Sequence, residues 1–344
     1  MPKLPPNCDP NSILLTFPVA REHAGQRLDR FLQHRIPRLS RTRAKAIVKA
    51  CARHPDGRRR RPAERVRAGE TILIVRPPMD EPDTPRSYGV LYEDDEVLAV
   101  LKPPGLPVHP TATYHRNTLT SLLARDYGDE STPQIAHRLD RETSGIVVCG
   151  KTRDAEVALK RCFENRDVAK EYVAITRGCI EADRGTIDLP LGPAPQGPHV
   201  LMAVREDGAE ASTRFEVLER RQGARPMTRV RLFPETGRQH QLRVHLSAIG
   251  HPIVGDKLYG PRGAEPFLEL IDTGWTEALL ERLEHPRHAL HAARLVIAHP
   301  SRSQPLELET PIASDMDDLW RAADPLSPEA LLRPRWDVEF RGES

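Results

Sequence analysis

The chain has 344 residues, 38% hydrophobic and 29% charged, as expected of a soluble globular protein long enough for a sizeable core. No apolar run reaches the roughly 18 residues of a membrane-spanning helix, the opening MPKLPPNCDPN lacks the apolar stretch of a secretory signal, and five scattered cysteines without a C-x-x-C pair argue against a disulfide framework or a structural zinc, so a cytoplasmic protein is expected. The net charge of +2 conceals two opposed parts: residues 20–77 carry +12 and residues 78–344 carry −10, a lopsidedness that points to a polyanion such as nucleic acid.

Residues 1–19 read as a tail, and residues 20–77 as a small basic domain. Within it RLDRFLQHRI (27–36) is a predicted helix stopped by Pro37, and SRTRAKAIVKAC (40–51) a second one with Ser40 as N-cap. In the second helix Ala44, Ile47, Val48 and Cys51 fall at i, i+3, i+4 and i+7 as a core stripe, while Arg41, Lys45 and Lys49 form a basic stripe beside it. A single basic stripe is usually a solvated face. Together with the arginine run Arg58, Arg59, Arg60 and Arg61 it reads as a nucleic-acid contact, followed by the predicted strand TILIVR (71–76).

The Pro- and acid-rich residues 78–87 read as a linker, residues 88–320 as the main domain and residues 321–344 as a loosely attached tail. Strand patterns recur in EVLAVLK, SGIVVCGK, KEYVAITRG, ASTRFEVLER, TRVRLFP and ALHAARLVIAHP. Amphipathic helices are predicted over 152–165 and 238–250, and residues 261–287 look like a surface insertion. Adjacent strands with few helices favour an α+β body with a largely antiparallel sheet over a doubly wound one.

Three segments could carry chemistry. In HRLDRETSGIVV (137–148) Asp140 stands between Arg138 and Arg141 at the entrance to a buried strand, where unpaired charge is costly. An Asp flanked by Arg is commonly a surface salt bridge, but a carboxylate gripped by a Thr-Ser-Gly loop beside a guanidinium stays ionised and can act as nucleophile or base. In TGRQHQLRVH (236–245) Arg243 lies within about 60° of Leu246 on the helix, so its guanidinium should border the apolar face and pair with a carboxylate, Asp140 being the candidate. In KEYVAITRG, Tyr172 shares a strand face with Ala174 and Thr176; it could be core packing or a platform for a displaced base. The histidines lack metal-ligand spacing, so no metal is expected, and no nucleophile elbow, phosphate loop or dinucleotide fingerprint is present.

HRLDRETSG, KEYVA and TGRQHQLRVHLSAIGHPIVGDKLYG, with LKPPGLPVHP upstream and ALHAARLVIAHP downstream, resemble the RluA family of pseudouridine synthases over about residues 88–312. Residues 27–74 are similar to the alpha-L RNA-binding motif shared with ribosomal proteins, departing from it at Pro55-Asp56-Gly57 where a Val-Asn-Gly turn is usual. The resemblance implies a mixed sheet with a catalytic cleft across its middle, an isomerase that detaches a uracil from its ribose in RNA and rejoins it through carbon 5, and no cofactor. It implies Asp140 as the catalytic aspartate, Tyr172 as the tyrosine against the target base and candidate general base, and Arg243 as the partner of the aspartate. Arg138 is implied to fill the gap left by a flipped nucleotide, and Arg238 and His240 to contact RNA. Large-subunit ribosomal RNA is the favoured partner, transfer RNA the alternative, and a monomer is expected. Two rival classes are a non-catalytic RNA-binding or ribosome-assembly protein, and a metal-dependent RNA hydrolase, which would need a second carboxylate beside Asp140; Glu142 is close in sequence but should point elsewhere.

Overall fold

The computed structural model describes residues 3–10, 12–36, 39–77, 81–111, 113–321 and 340–342. The chain divides into two units, Met1–Glu81 and Pro82–Ser344. In the first, β1 (Ile13–Pro18), α1 (Leu28–Arg35), α2 (Arg41–Cys51), β2 (Ala52–Arg53) and β3 (Thr71–Arg76) make a three-stranded antiparallel sheet, in the order β1-β3-β2, with two helices. Ser40 caps α2, its Oγ accepting from the Arg43 N–H at 3.2 Å, as its position before a helical pattern suggests. Ala44 and Val48 are buried and Ile47 and Cys51 partly so; Val48, Leu28, Phe31, Leu32, Ile72 and Ile74 share one core. Residues 13–18, assigned to a tail by the sequence reading, are instead the edge strand β1: their partners run from Arg76 for Ile13 down to Thr71 for Pro18, and no local pattern reveals so distant a pairing. Pro37, the expected helix stop, lies outside the described residues, as do residues 78–80 of the linker segment 78–87.

The second unit is α+β. Its strands are β4 (Ser87–Glu93), β5 (Val97–Lys102), β6 (Gln134–Ile135), β7 (Ser144–Gly150), β8 (Val168–Arg177), β9 (Arg184–Asp188), β10 (Leu191–Pro193), β11 (Met202–Val204), β12 (Ser212–Arg221), β13 (Met227–Pro234), β14 (Leu290–Ala298), β15 (Pro305–Glu309) and β16 (Phe340–Gly342). Its helices are α3 (Leu119–Tyr127), α4 (Arg153–Asn165), α5 (Gln241–Ala248), α6 (Glu265–Thr273), α7 (Glu277–Leu283) and α8 (Ser314–Arg321). The main sheet runs β16-β4-β5-β7-β14-β8-β13-β12-β9, with β15 on β14 and β6 on β7. Of its pairings β7/β14 is parallel and the rest are antiparallel, so the sheet is mixed and largely antiparallel.

The unbroken apolar runs of β5 and β7 are explained by burial on both faces. Leu98, Val100, Val147 and Cys149 pack with α3 through Leu119, Leu122 and Leu123, whereas Val97, Ala99, Ile146 and Val148 pack with α4 through Leu159. Where β7 and β14 run parallel, Gly145 has φ +121° and a Cβ there would sit 2.3 Å from the Ala292 carbonyl oxygen. Only glycine admits this approach, and it joins the loop before β7 to the middle of the sheet. Most of 321–344, read as a tail, lies outside the described residues; its residues 340–342 add the edge strand β16 to β4. The presumed insertion 261–287 holds α6 and α7. Among the described residues no helix is long and apolar enough to cross a membrane, and the five cysteines are free.

Candidate active site

The loop that carries Asp140 is pinned at nearly every residue. Thr143 N–H donates to the Asp140 carbonyl at 3.2 Å, and the Arg141 carbonyl accepts from the Gly105 N–H at 2.9 Å and from Lys102 Nζ at 3.0 Å. Lys102 is wholly buried and also donates to the carbonyls of Pro103 and Leu106. Burial drives its pKa well below that of an ordinary lysine, helped by the Arg287 charge. The Arg141 guanidinium donates to Tyr114 Oη and Glu142, Thr143 Oγ1 shares a hydrogen bond with His288 Nε2 at 2.8 Å, and Glu142 takes Lys257 Nζ at 2.9 Å on both oxygens. Glu142 is thereby engaged away from Asp140. Among the described residues no three His, Cys, Asp or Glu side chains cluster so as to hold a metal ion.

Asp140 Oδ2 accepts from Arg243 Nη1 at 3.0 Å. The same guanidinium donates Nε and Nη2 to Asp256 at 2.7 and 2.9 Å, and is itself buried. Arg243 is thus a bridge between two carboxylates, reached from α5 because it borders the Leu242–Leu246 face that packs into the core. Burial opposes the charge of each member, but the opposite charges win: Arg243 is held above its ordinary value by Asp256 and Asp140, and Asp256 is brought down to about 2. Asp140, which burial alone would push up, is lowered by Arg243 and then by His240 and His288. Asp140 is therefore ionised at neutral pH.

Asp256 was not singled out in the sequence. It sits in the turn after GHPIVG, where its Oδ1 also accepts the backbone N–H groups of Leu258 and Tyr259 at 2.9 and 3.1 Å. A buried Asp that caps its own turn has no spacing signature; only the three-dimensional approach of α5 shows it as a ligand of Arg243.

Asp140 and Arg243 open onto a cleft of about 120 Å³ lined also by Arg138, Lys170, Tyr172, Arg238, His240 and Leu290. Tyr172 is partly buried on β8, and burial followed by the Asp140 charge raises its pKa, so the phenol keeps its proton. His240 stands at φ +55°, its Nε2 3.8 Å from Asp140 Oδ1 and its Nδ1 2.7 Å from Tyr259 Oη. Burial lowers it to about 4, so at neutral pH it is uncharged and gives a phosphate no cation. Arg138 is exposed at the mouth, and Arg238 is tied through Nε to the Glu210 carbonyl at 3.0 Å.

The remaining expected RNA contacts belong to the first unit. Arg41, Lys45, Lys49 and Arg59 are exposed. Arg58 is exposed but pairs with Asp56 at 2.7 Å. Arg60 is a correction: it is buried and donates to Glu64 at 2.9 Å and Glu70 at 3.2 Å, so it holds the fold and presents nothing to a ligand. The two glutamates lie four and ten positions away, and a run of four arginines conceals which one turns inward. A concavity on this unit, unforeseen from the sequence, is lined by Arg27, Arg30, His34 and Arg65.

Comparison with known proteins agrees with this geometry. A family model described as RNA pseudouridylate synthase matches residues 96–248. The ribosomal large subunit pseudouridine synthase D of Xanthomonas campestris pv. campestris is 37% identical over 311 residues, covering 87% of this chain and 89% of the relative. The protein of the same name from Nitrosomonas europaea is 34% identical over 331 residues, covering 94% and 91%. Among solved structures, human RNA pseudouridylate synthase domain containing 1 superposes with a TM-score of 0.53 at 29% identity, over 75% of this chain and 93% of that one. With a mixed sheet of the same kind and relatives matched along nearly their whole length, the chain belongs to the RluA family of RNA pseudouridylate synthases.

Proposed function

We propose that this protein isomerises uridines of large-subunit ribosomal RNA to pseudouridine, with Asp140 as nucleophile, and that it works as a cytoplasmic monomer. The observation that carries the proposal is Asp140 held ionised by Arg243 in a cleft that Tyr172 also lines. The names of its relatives supply the RNA. A uridine stacked in RNA cannot reach this carboxylate, so the nucleotide is extruded at a cost of a few kcal/mol. Arg138, exposed at the mouth, is placed to occupy the space it leaves.

Asp140 attacks C1′ as the bond from C1′ to N1 breaks and the uracil leaves as an anion; the base turns, C5 attacks C1′ and displaces the Asp140 carboxylate, the C5 proton then leaves and N1 gains one. In the covalent adduct Asp140 no longer carries its charge. Burial first, and then the Asp140 charge, hold the proton on Tyr172; we assign its hydroxyl to the transfer of the C5 proton. Tyr172→Phe should accordingly still bind RNA through its ring while turnover falls by about a hundredfold or more. A fully active Phe variant would leave Tyr172 a stacking platform only. Release of tritium from C5-labelled uridine in a transcript of large-subunit ribosomal RNA measures the reaction. Carbodiimide-blocked primer extension then maps the position.

We also propose that residues 20–77, with a charge of +12 against −10 for the rest, supply the long-range attraction for RNA. Each of the two units has its own core, so deletion of residues 1–81 should leave a folded body. Affinity for the long transcript should fall, and the salt dependence of binding should flatten by about 0.7–0.9 per lost phosphate contact. An unchanged slope would place all recognition in residues 82–344.

A further inference from the structure

The cleft mouth holds a cation to which no carboxylate among the described residues is paired. Lys170 stands two residues before Tyr172 on β8, so the two side chains leave the strand on the same face, and both line the cleft. Elsewhere in this unit partly buried cations sit on carboxylates: Lys151 on Glu93, Lys257 on Glu142, Arg294 on Glu171. Lys170 is partly buried too, yet among the described residues its ammonium makes no hydrogen bond and no ion pair. Burial, with the Arg166 charge added, lowers its pKa. Arg138 at the same mouth is likewise without a carboxylate partner, and Arg238 contacts only a backbone carbonyl. Desolvating an ammonium without a partner, next to other cations, lowers stability. A group kept in that state at a cleft is poised for an anionic ligand.

We propose that Lys170 forms a subsite for a backbone phosphate of the RNA strand entering the cleft. The assignment rests on the RNA substrate proposed above. Along β8, Lys170 and Tyr172 are about 7 Å apart, an offset that lets one nucleotide lay its base against Tyr172 while its phosphate meets the ammonium. Phosphate suits the site better than a uracil carbonyl, because several cations gather there and a neutral acceptor would leave their mutual repulsion in place.

The test uses the full-length protein and a C5-tritiated transcript of large-subunit ribosomal RNA, with Lys170→Gln and Lys170→Arg beside the parent. Binding isotherms at several potassium chloride concentrations should show Lys170→Gln weakened about tenfold at low salt, with the slope of log Kd against log salt reduced by about 0.7–0.9, one phosphate contact. In turnover, KM should suffer more than kcat. Lys170→Arg should restore the slope. The melting temperature of Lys170→Gln should equal or exceed the parent's, since an unpartnered charge has been removed. An unchanged slope with a lowered melting temperature would make Lys170 a packing residue and overturn the proposal. A loss in kcat alone, with the slope intact, would put the ammonium on the uracil and overturn it as well. If the parent binds the transcript but releases no tritium, the isomerase reading fails while the slope comparison still decides the role of Lys170.

Discussion

Asp140→Asn is expected to lower pseudouridine formation by at least about a thousandfold, because removing a nucleophile forfeits the whole covalent route. Asparagine keeps the shape of the side chain and an oxygen to accept from Arg243 Nη1, whose other two bonds, at 2.7 and 2.9 Å, go to Asp256 and are untouched. The variant should therefore fold, melt close to the parent and bind the transcript with an unaltered salt slope. Tritium release under single-turnover conditions separates these effects. Turnover within about tenfold of the parent would remove Asp140 from the reaction and reopen the cleft to another nucleophile. The acid side of the parent's pH profile carries a second check. Arg243 holds the Asp140 carboxyl below the ordinary carboxylate range, so activity should persist to pH values at which a free aspartate is already half protonated.

Local sequence carried the parts of this site whose cause is local. Charge at the entrance to an apolar run singled out Asp140, the helical angle to Leu246 predicted that Arg243 would turn inward, and strand alternation put Tyr172 on a definable face. The apolar runs of β5 and β7 were equally legible, since burial on two faces leaves a continuous signature. The rest depended on distance in the chain. β1 pairs with β3, from Ile13 with Arg76 to Pro18 with Thr71, and β16 returns to β4 from position 340, each through backbone bonds that any sequence of suitable character could make. Arg60 turned inward because Glu64 and Glu70 converge on it, and Lys170 matters for a partner it lacks. Asp256 was concealed for the opposite reason: it serves its own turn and a distant arginine at once.

Arg243→Ala should be the most destabilising single change in the second unit. It removes three charge-assisted hydrogen bonds and leaves two carboxylates, one fully and one largely buried, without a counter-charge. Breaking a buried pair in this way costs about 3–5 kcal/mol, which at roughly 2–4 °C per kcal/mol lowers the melting temperature by about 10 °C. Activity should collapse with it, since Asp140 would then be free to take up a proton. Arg243→Lys should recover only part of both, because an ammonium cannot make the forked contact to Asp256 while also reaching Asp140. The pH dependence gives the pairing its own signature. In the parent, Asp256 titrates at about 2, below its unfolded value near 4; a carboxyl depressed on folding contributes stability above about 4 that is lost as pH falls towards 2. In Arg243→Ala the strongest opposition to burial is gone, leaving only His240, His288 and the backbone N–H groups on Asp256, so both carboxyls rise; they then destabilise the fold at neutral pH and cease to do so once protonated. The gap in stability between parent and variant should therefore be widest near neutrality and narrow steadily as the solution is acidified. Denaturant melts at several pH values read it directly, and a gap that does not change with pH would mean that Arg243 stabilises through packing of its stem and not through Asp140 and Asp256.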